Sequence, residues 1–318
     1  MAVLALDVGG TSIKGAVVDR TAVVAVERFA SRREDGPDAV VGAVLDAGDA
    51  LAAIAATRGL AAEAAGLAVL GLVDTKAGVA RYSANVGWRD VPLRALAEAR
   101  LGMPIAFTHD VKAAGHAEAL LGAAADWPSA LVVCIGTGIA AAVVIDGAVL
   151  AGAAEQAGEL GQMLVLAPEG GPVKVRLETV AAAAAIASAY EAITGAPPGS
   201  VSAAEVIAGA ADDPVAASVW AIALARLCDV LADSVAVVDP AVVVIGGGLS
   251  LAGAAVCGPV RDGLAERLGW RSAPPVVAAR FGDAGGWIGA ALLAWQLVGD
   301  EQAMAGAWAT AAVPQVQP

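Results

Sequence analysis

Two carboxylates stand in apolar segments where they could take part in chemistry. Asp7 interrupts the apolar segment LALDVGG, and Asp110 lies between a strand pattern at 105–108 and an Ala-rich helical pattern at 111–124. An unpaired charge in an apolar segment is costly, so Asp7 requires a partner. A carboxylate can accept a proton or bind a hard cation such as Mg²⁺. The alternatives are a structural ion pair for Asp7 and a helix N-cap for Asp110.

Glycine turns recur at three strand ends. They comprise Gly9 and Gly10, then Gly136, Thr137 and Gly138, and finally Gly246, Gly247 and Gly248. We expect φ > 0 in the first turn, and without a Cβ the backbone N–H groups can cradle phosphate oxygens. Thr11 and Lys14 would add a hydroxyl and a cation, although Lys14 could equally be a surface lysine. Three such turns predict a bound nucleotide.

The first and second of these turns belong to similar segments, 4–19 and 131–146. Each segment runs apolar strand, glycine turn, apolar strand and closing aspartate, with an offset of 127 residues. That offset is about the size of one domain, so we predict two related α/β domains, each a sheet with helices on both sides. The first domain is placed at 1–120, with a final helix at 286–298 packing back on it, and the second at 121–285.

Hydrophobic periodicity predicts the other elements. The predicted strands are 23–29, 66–73, 105–108, 131–135, 139–145 and 242–245. The predicted helices are 37–58, 111–124, 178–194, 202–210, 213–238 and 286–298. The helices at 213–238 and 286–298 are candidates for the surface of a homodimer, with core packing as the alternative.

Composition excludes several classes of function. The 318 residues are 58% hydrophobic and carry a net charge of −13, which repels nucleic acid and anionic membrane surfaces. Two charge-free runs, 127–145 and 240–260, reach the ~20 residues that span a bilayer. Glycine clusters interrupt both, so we interpret them as strands and turns. No basic region precedes an apolar stretch at the N-terminus, so we expect a cytoplasmic protein.

Six segments, in chain order, resemble sugar kinases of the ROK family, which belong to the actin-like ATPase superfamily with the hexokinases. They are LALDVGGTSIKGAVVD, the HD of AFTHDVKAAGHAEALLGA, CIGTGIAAAVVIDG, AGELGQM, VVVIGGGLS and GGWIGAALLA. The resemblance implies an α/β fold of two actin-like ATPase (RNase H-like) domains with a cleft between them. It also implies glucokinase-like, ATP-dependent phosphorylation of a sugar hydroxyl. Some relatives are repressors with an N-terminal helix-turn-helix; this sequence opens on its first strand, so we expect the kinase branch.

The resemblance implies roles for the two carboxylates. Asp7 would orient the waters of the Mg²⁺ that accompanies ATP. Asp110 would accept the proton of the sugar hydroxyl that attacks the γ-phosphoryl group. The glycine turns, with Thr11 and Lys14, would hold the nucleotide.

The resemblance also implies a set of sugar-binding residues. Glu159 and Glu178 match two family glutamates that hold sugar hydroxyls, and Asn85 is a further candidate. His109 replaces the usual Asn before the base and keeps a hydrogen-bond donor. His116, inside the predicted helix, is interpreted as structural.

One segment departs from the family pattern. Most ROK kinases have a GH pair, whose histidine also contacts sugar, followed by a CxCGxxGC cluster that binds structural zinc. This chain has Gln162 in place of that histidine, as a further sugar-binding candidate, and no cysteine there. A structural zinc site needs four N or S ligands, so we expect no zinc. The three cysteines, Cys134, Cys228 and Cys257, are also too far apart in sequence to suggest a disulfide framework or a thiolate metal site.

The substrate therefore stays open at this point. The acceptor could be glucose, an N-acetylhexosamine or a sugar-like cyclitol, and polyphosphate could replace ATP. A non-catalytic sugar-binding regulator is a further alternative. A dinucleotide oxidoreductase fits a relaxed GxGxxG/A at 136–141, but a Rossmann loop must open a helix, and 139–145 has a strand pattern.

Overall fold

The computed structural model divides the chain into two compact units. The first unit contains Met1–Leu121, Ala151–Gln156 and the described residues from Ala284 onward; the second contains Gly122–Leu150 and Ala157–Asp283. The structure describes residues 1–168, 170, 172–249, 253–304, 306 and 308. Ser250, which belongs to the VVVIGGGLS segment, lies outside the described residues.

The strands and helices of the first unit alternate along the chain. Its strands are β1 (Ala2–Val8), β2 (Ser12–Asp19), β3 (Val23–Ala30), β4 (Ala62–Val69), β5 (Leu72–Asp74), β6 (Val79–Tyr82), β7 (Arg89–Val91) and β8 (Ile105–His109). Its helices are α1 (Pro37–Thr57), α2 (Leu93–Leu101), α3 (Asp110–Leu121), α9 (Gly285–Leu297) and α10 (Glu301–Met304). The central sheet has the order β3-β2-β1-β4-β8, and β5, β6 and β7 form a smaller sheet.

The register of the central sheet determines where side chains meet. Strands β1, β4 and β8 are parallel, with Val8 opposite Val69 and Val69 opposite His109. The carboxyl ends of these three strands therefore share one edge. Side chains alternate between the faces of a strand. Leu4, Leu6 and Val8 accordingly pack in the core with α1, whereas Asp7 faces Gly286 of α9.

The second unit repeats this arrangement of strands. Its strands are β9 (Ser129–Ile135), β10 (Ile139–Ile145), β11 (Ala148–Val149), β12 (Leu164–Leu166), β13 (Lys174–Arg176), β14 (Val242–Gly246) and β15 (Val276–Ala278). Its helices are α4 (Glu178–Ala181), α5 (Ala183–Thr194), α6 (Ala203–Gly209), α7 (Pro214–Val238) and α8 (Ala254–Arg267). The sheet order β11-β10-β9-β14-β15 has the same pattern as the first unit: an antiparallel hairpin beside parallel strands.

Two predicted elements differ from the structure. The single helix predicted at 178–194 is wrong, because Ala182 is extended (ψ 153) and separates α4 from α5. The next amide, Ala183 N–H, donates to the carbonyl of Gly136 instead of continuing the helix. The strand predicted at 66–73 is also wrong in extent, because it ends at Val69 and the chain turns at Gly71 with φ +88.

Two helices, α1 and α7, are long and apolar enough to cross a bilayer by length and composition. In α1 the buried residues recur every three or four positions from Val40 to Ala55, and this face packs on β1 and β2. α7 packs against α5 and α8 in the same one-sided way. One buried stripe is the pattern of a helix on a core. The charge-free run 127–145 includes β9 and β10.

α9 is a core helix of the first unit. Its residues from Gly285 to Leu292 are all buried, and it packs on β1, β4 and α3. Gly66 and Gly289 allow this packing, because a Cβ on either would lie 1.9 Å from a backbone oxygen of the facing element. The 286–298 segment thus follows the core-packing alternative over most of its length, and Gln296 and Leu297 near its end are exposed.

Candidate active site

Asp110 is the first residue of α3 and lies at the carboxyl edge of the first unit's sheet. Its Oδ1 accepts the N–H of the next residue, Val111, at 2.7 Å, and its side chain is 28% exposed. Burial raises the pKa of Asp110 to about 6, although backbone N–H donors and the charge of Lys14 act in the opposite direction. A carboxylate with this pKa is ionised at neutral pH and accepts a proton more readily than an ordinary aspartate.

Asp7 and Lys14 are directly opposite each other on β1 and β2. Opposite residues of an antiparallel pair point to the same face, so both side chains lie on the α9 side of the sheet. A Cβ on Gly286 would come within 2.6 Å of the Asp7 carboxylate. The absence of that Cβ lets the first turn of α9 approach Asp7 closely. Gly286 is a positioning residue that the sequence analysis did not name; the GG pair opening GGWIGAALLA was its signal.

The Gly9–Gly10 turn joins β1 to β2 at the same edge. The expectation of φ > 0 is wrong for both glycines, which lie outside the left-handed region. The turn is closed by the Gly9 N–H, which donates to Ser12 O at 3.0 Å, and the buried Ser31 donates its hydroxyl to Gly10 O at 3.0 Å. A Cβ on Gly10 would be only in ordinary contact, at 3.6 Å from Asn85 Cβ. The structure therefore brings Asn85 to this turn, and Thr11 beside it is exposed.

The two histidines have different surroundings. His109 is buried at the end of β8, and its Nδ1 lies 3.2 Å from Asp110 Oδ1. His116 lies in α3, and its buried Nε2 has no hydrogen-bond partner in the structure. Burial lowers the pKa of His116, which favours the neutral ring. His109 is thus placed beside the candidate base and His116 within the packing of its helix.

The Gly136–Thr137–Gly138 turn joins β9 to β10 in the second unit. The Gly136 N–H donates to Gly138 O at 2.9 Å, which makes a three-residue loop, and Thr137 is exposed. No heavy atom lies within 4 Å of a Cβ built on Gly136. The space above this turn is therefore open to a ligand group.

Two of the predicted sugar-binding residues meet beside that turn. Gln162 donates its Nε2 to Glu178 Oε1 at 2.8 Å, and Glu178 Oε2 would lie 3.3 Å from a Cβ on Gly138. The hairpin of β12 and β13 separates Gln162 from Glu178 in sequence and pairs Leu164 with Arg176, which brings its two ends together.

The AGELGQ loop around Glu159 depends on its glycines. Gly158 has φ +94, and a Cβ there would lie 1.8 Å from Ala141 O. A Cβ on Gly161 would lie 2.3 Å from Ile139 O. Both glycines hold the loop against β10, which fixes the position of the half-buried Glu159 between them.

The third glycine turn follows β14 at the same edge of the second sheet. Gly246 is opposite Cys134 in parallel register, one residue before the end of β9. Gly247 has φ +75, and a Cβ on it would lie 2.6 Å from Ile135 O, so only glycine fits. A Cβ on Gly248 would meet nothing within 4 Å. The two glycine turns of the second unit therefore share the carboxyl edge of its sheet.

One further residue of the first unit, Lys112, was not predicted from the sequence. Lys112 is 9% exposed, and its Nζ donates to Glu155 O at 2.5 Å and Ala151 O at 3.3 Å. A lysine two positions after the candidate base, on an otherwise apolar helix, was the available signal. Among the described residues, no group of three or more His, Cys, Asp or Glu side chains could hold a metal ion.

The chain is similar to known sugar kinases over most of its length. The ROK family model matches residues 3–297. A glucokinase of Streptomyces coelicolor is 28% identical over 92% of this chain and 96% of its own. An N-acetyl-D-glucosamine kinase of Salmonella paratyphi A is 31% identical over 90% and 97%. The crystal structure of a ROK family glucokinase from Streptomyces griseus, in complex with glucose and AMPPNP, is 25% identical with a TM-score of 0.79, covering 93% of this chain and 100% of that one.

These similarities confirm three of the sequence predictions: the family, the two-domain actin-like ATPase fold, and an ATP-dependent sugar kinase as the kind of enzyme. ATP as the nucleotide agrees with the AMPPNP in the Streptomyces griseus structure. The family match spans all six sequence segments on which the resemblance was based, with the last, GGWIGAALLA, included by residue 294. The chain belongs to the ROK family.

Proposed function

We propose that this enzyme transfers the γ-phosphoryl group of ATP to a hexose hydroxyl, with Asp110 as the general base and glucose as the first acceptor to test. The observation that carries this proposal is the position of Asp110. It is a partly buried carboxylate with a pKa of about 6, at the start of a helix and at the edge where three parallel strands end. Phosphoryl transfer requires mostly positioning and charge neutralisation, and one aligned carboxylate can take the hydroxyl proton.

The proposed nucleotide residues fall in both units. In the first unit they are Asp7, Gly9, Gly10, Thr11 and Lys14. In the second unit they are Gly136, Thr137, Gly138, Gly246, Gly247 and Gly248. Open space over Gly136 and Gly248 would let backbone groups approach phosphate or ribose oxygens.

Magnesium fits this set as an ion held mainly by the nucleotide. Asp7 is a single carboxylate beside Gly286, and no cluster of three metal-binding side chains exists within the described residues. Mg²⁺ commonly keeps several waters and uses one or two carboxylates together with phosphates. Asp7 would hold those waters, and the ion would neutralise charge on the transferred group. We propose no zinc site.

The proposed sugar-binding residues are Asn85 and His109 in the first unit and Glu159, Gln162 and Glu178 in the second. The Gln162 amide donates to Glu178, which leaves the amide oxygen as an acceptor for a sugar hydroxyl. Carboxylates can accept two hydroxyl hydrogen bonds at once, which suits a vicinal diol. An N-acetylhexosamine is the second candidate acceptor, favoured by the similarity to the Salmonella N-acetyl-D-glucosamine kinase. A cyclitol acceptor and a non-catalytic sugar-binding role are the alternatives that the assay must exclude.

We further propose a cytoplasmic homodimer that binds neither nucleic acid nor membrane. The net charge of −13 opposes both anionic partners. Exposed apolar side chains of the second unit, among them Leu164, Val173 and Trp270, are candidates for the dimer surface. Sedimentation of the purified protein tests this part, and a monomer at micromolar concentration would contradict it.

The experiment for the main proposal is ADP release with a panel of hexoses, N-acetylhexosamines and cyclitols, with Mg-ATP or polyphosphate as donor. We expect release that requires Mg-ATP and is stimulated strongly by a hexose. ADP release that no polyol stimulates would favour the non-catalytic sugar-binding protein. A strong preference for an N-acetylhexosamine or a cyclitol would replace glucose as the acceptor.

A further inference from the structure

Arg28, on β3, is a cation that the site described above does not include. It is opposite Lys14 in the antiparallel register of β2 and β3, and Lys14 is opposite Asp7 on β1. Opposite residues of antiparallel strands point to the same face, so Asp7, Lys14 and Arg28 form a row across one face of the sheet. The neighbouring Phe29 packs against the core on the other face. The register therefore brings a second cation to the side of Asp7 and Lys14.

The Arg28 guanidinium lies beside the Gly9–Gly10 turn. Its Nη1 donates to Ser12 Oγ at 3.4 Å, and Ser12 is the first residue of β2 after that turn. Ser12 lies two positions before Lys14 on the same face of β2, so the Arg28 side chain leans along the strand towards the turn. In the part of the chain that the structure describes, this is the guanidinium's one hydrogen bond. Arg28 is exposed, so its other N–H groups are open to a ligand.

The turn itself presents backbone donors. Ser31 occupies two of its carbonyls: the Ser31 hydroxyl donates to Gly10 O at 3.0 Å, and the Ser31 N–H donates to Thr11 O at 3.3 Å. Within the described residues, no acceptor takes the N–H of Gly10 or of Thr11. A backbone segment with its carbonyls occupied and its N–H groups unpaired is suited to an anion. The turn and Arg28 therefore favour the same class of ligand, an oxyanion.

The local charge also favours an anion at this position. Arg32, a few residues further on, pairs with Asp46 at 3.0 Å, whereas Arg28 pairs with no carboxylate among the described residues. In the row across the sheet, Asp7 opposes the charge of Lys14, so Arg28 supplies the net positive charge. The whole chain carries a net charge of −13 and repels anions at long range. A cation beside the turn offsets that repulsion where a phosphate would bind.

We propose that Arg28 is a phosphate-binding residue of this enzyme: its guanidinium and the Lys14 ammonium hold a phosphate group at the Gly9–Gly10 turn. The phosphate is the γ-phosphoryl group of ATP before transfer or the phosphate ester of the product after it. A planar guanidinium donates two parallel hydrogen bonds to one phosphate, which suits this role. The inference rests on the proposed function, because it adds a residue to that same reaction.

The test is calorimetric titration of wild type and Arg28→Gln with ATP, ADP, glucose 1-phosphate and glucose 6-phosphate at one ionic strength. We expect Arg28→Gln to weaken ATP binding about tenfold, since hydrogen bonds to charged groups are the strong ones. ADP lacks the γ-phosphoryl group, so its affinity should change less than about twofold. Arg28→Lys keeps the charge but loses the paired donors, and should weaken ATP binding by an intermediate factor. Weaker binding of a sugar phosphate alone would assign Arg28 to the product.

The matched control is Arg58→Gln. Arg58 is an exposed arginine that follows α1, four residues before the amino end of β4, whereas the glycine turn lies at the carboxyl edge of the sheet. The control removes the same charge from the same unit and should leave all four affinities within about twofold. Equal weakening of ATP and ADP by Arg28→Gln would overturn the inference. So would unchanged affinity for ATP and for both sugar phosphates.

These results separate the inference from the proposed function. If Arg28→Gln binds all four ligands as wild type does while a sugar still stimulates ADP release, the inference fails and the proposed function survives. If no sugar stimulates ADP release but ATP binding still depends on Arg28, the proposed reaction fails, and Arg28 stands as a nucleotide-binding residue.

Discussion

The two units have the same strand order but differ at the end of their first hairpin. In the first unit the second residue pair from the turn is Asp7 opposite Lys14; in the second unit the corresponding pair is Cys134 opposite Ala140. The strand arrangement is therefore repeated in both units, while the charged pair is present in only one of them. A duplicated fold can thus keep its backbone geometry and confine ionic chemistry at this position to one unit.

The glycines of the two units also serve different purposes. Gly9 and Gly10 have no left-handed φ, and a Cβ on Gly10 would find room. In the second unit Gly158 and Gly247 both have positive φ angles, and a Cβ on either would clash with backbone atoms of a neighbouring strand. Gly10 thus leaves space beside its turn, although a Cβ on Gly9 would lie 3.0 Å from Ser12 O, whereas Gly158 and Gly247 are required for the fold of the second unit.

The largest effect should come from Asp110→Asn. If the base belongs to the first unit, kcat should fall by about 10²–10⁴, the usual contribution of general base catalysis. The ATP affinity should change less than about threefold, because we assign the nucleotide to the glycine turns. Steady-state kinetics and nucleotide titration measure both quantities.

The matched control is Asp146→Asn, an exposed carboxylate at the β10–β11 turn of the second unit. Asn tolerates its φ of 50, so activity should be retained. If Asp110→Asn lowers kcat by less than tenfold, the general base lies elsewhere.

Gly158→Ala should cause the largest loss of stability among the turn glycines. A left-handed φ of +94 and a Cβ 1.8 Å from Ala141 O should lower the free energy of unfolding by about 3 kcal/mol. Gly136→Ala, where a Cβ would meet open space, should change the free energy of unfolding by less than about 1 kcal/mol while weakening ATP binding. Chemical denaturation and nucleotide titration separate the two. Equal destabilisation by both variants would remove the proposed difference between structural and ligand-facing glycines.

Asp110→Asn should also make the protein more stable, and the effect should depend on pH. The folded pKa of about 6 exceeds the reference value of 3.8, so the folded state binds the proton more tightly and stability falls as pH rises from about 4 to 6. Asn resembles the protonated acid. The variant should therefore be more stable by roughly 2–3 kcal/mol at pH 7.5, since one pKa unit is worth about 1.4 kcal/mol.

That difference should disappear near pH 3, below both the folded and the unfolded pKa, where wild-type Asp110 is protonated in both states. Urea unfolding at the two pH values provides the test. A variant that is less stable than wild type at pH 7.5 would mean that the ionised carboxylate stabilises the fold as a helix cap.

The sequence predicted the two hairpins and the positions of the strands at 105–108 and 242–245, because their apolar patterns are local. It also located Asp7 and Asp110, since each charge stands out against apolar neighbours. It did not predict the break at Ala182, which depends on the hydrogen bond from Ala183 N–H to Gly136 O, 47 positions earlier in the chain. Nor could it predict the hydrogen bonds from Lys112 to the carbonyls of Ala151 and Glu155 or the raised pKa of Asp110, because both depend on burial by residues that are distant in sequence.

The short hairpin of β12 and β13 illustrates the same limit. The sequence showed only that the expected zinc ligands are missing from this segment. The structure shows a two-stranded pairing from Leu164–Arg176 to Leu166–Lys174 that brings Gln162 within hydrogen-bond distance of Glu178. Short strands with exposed apolar residues carry too weak a periodicity to be predicted.

The central claim is that the ionised carboxylate of Asp110 removes the proton from the sugar hydroxyl. The most direct measurement is the pH dependence of kcat/KM for the sugar between pH 4.5 and 8.5, at saturating Mg-ATP. The raised pKa predicts an acid limb with a midpoint near 6, below which kcat/KM falls tenfold per pH unit. A profile that stays flat down to pH 5 would contradict the assignment.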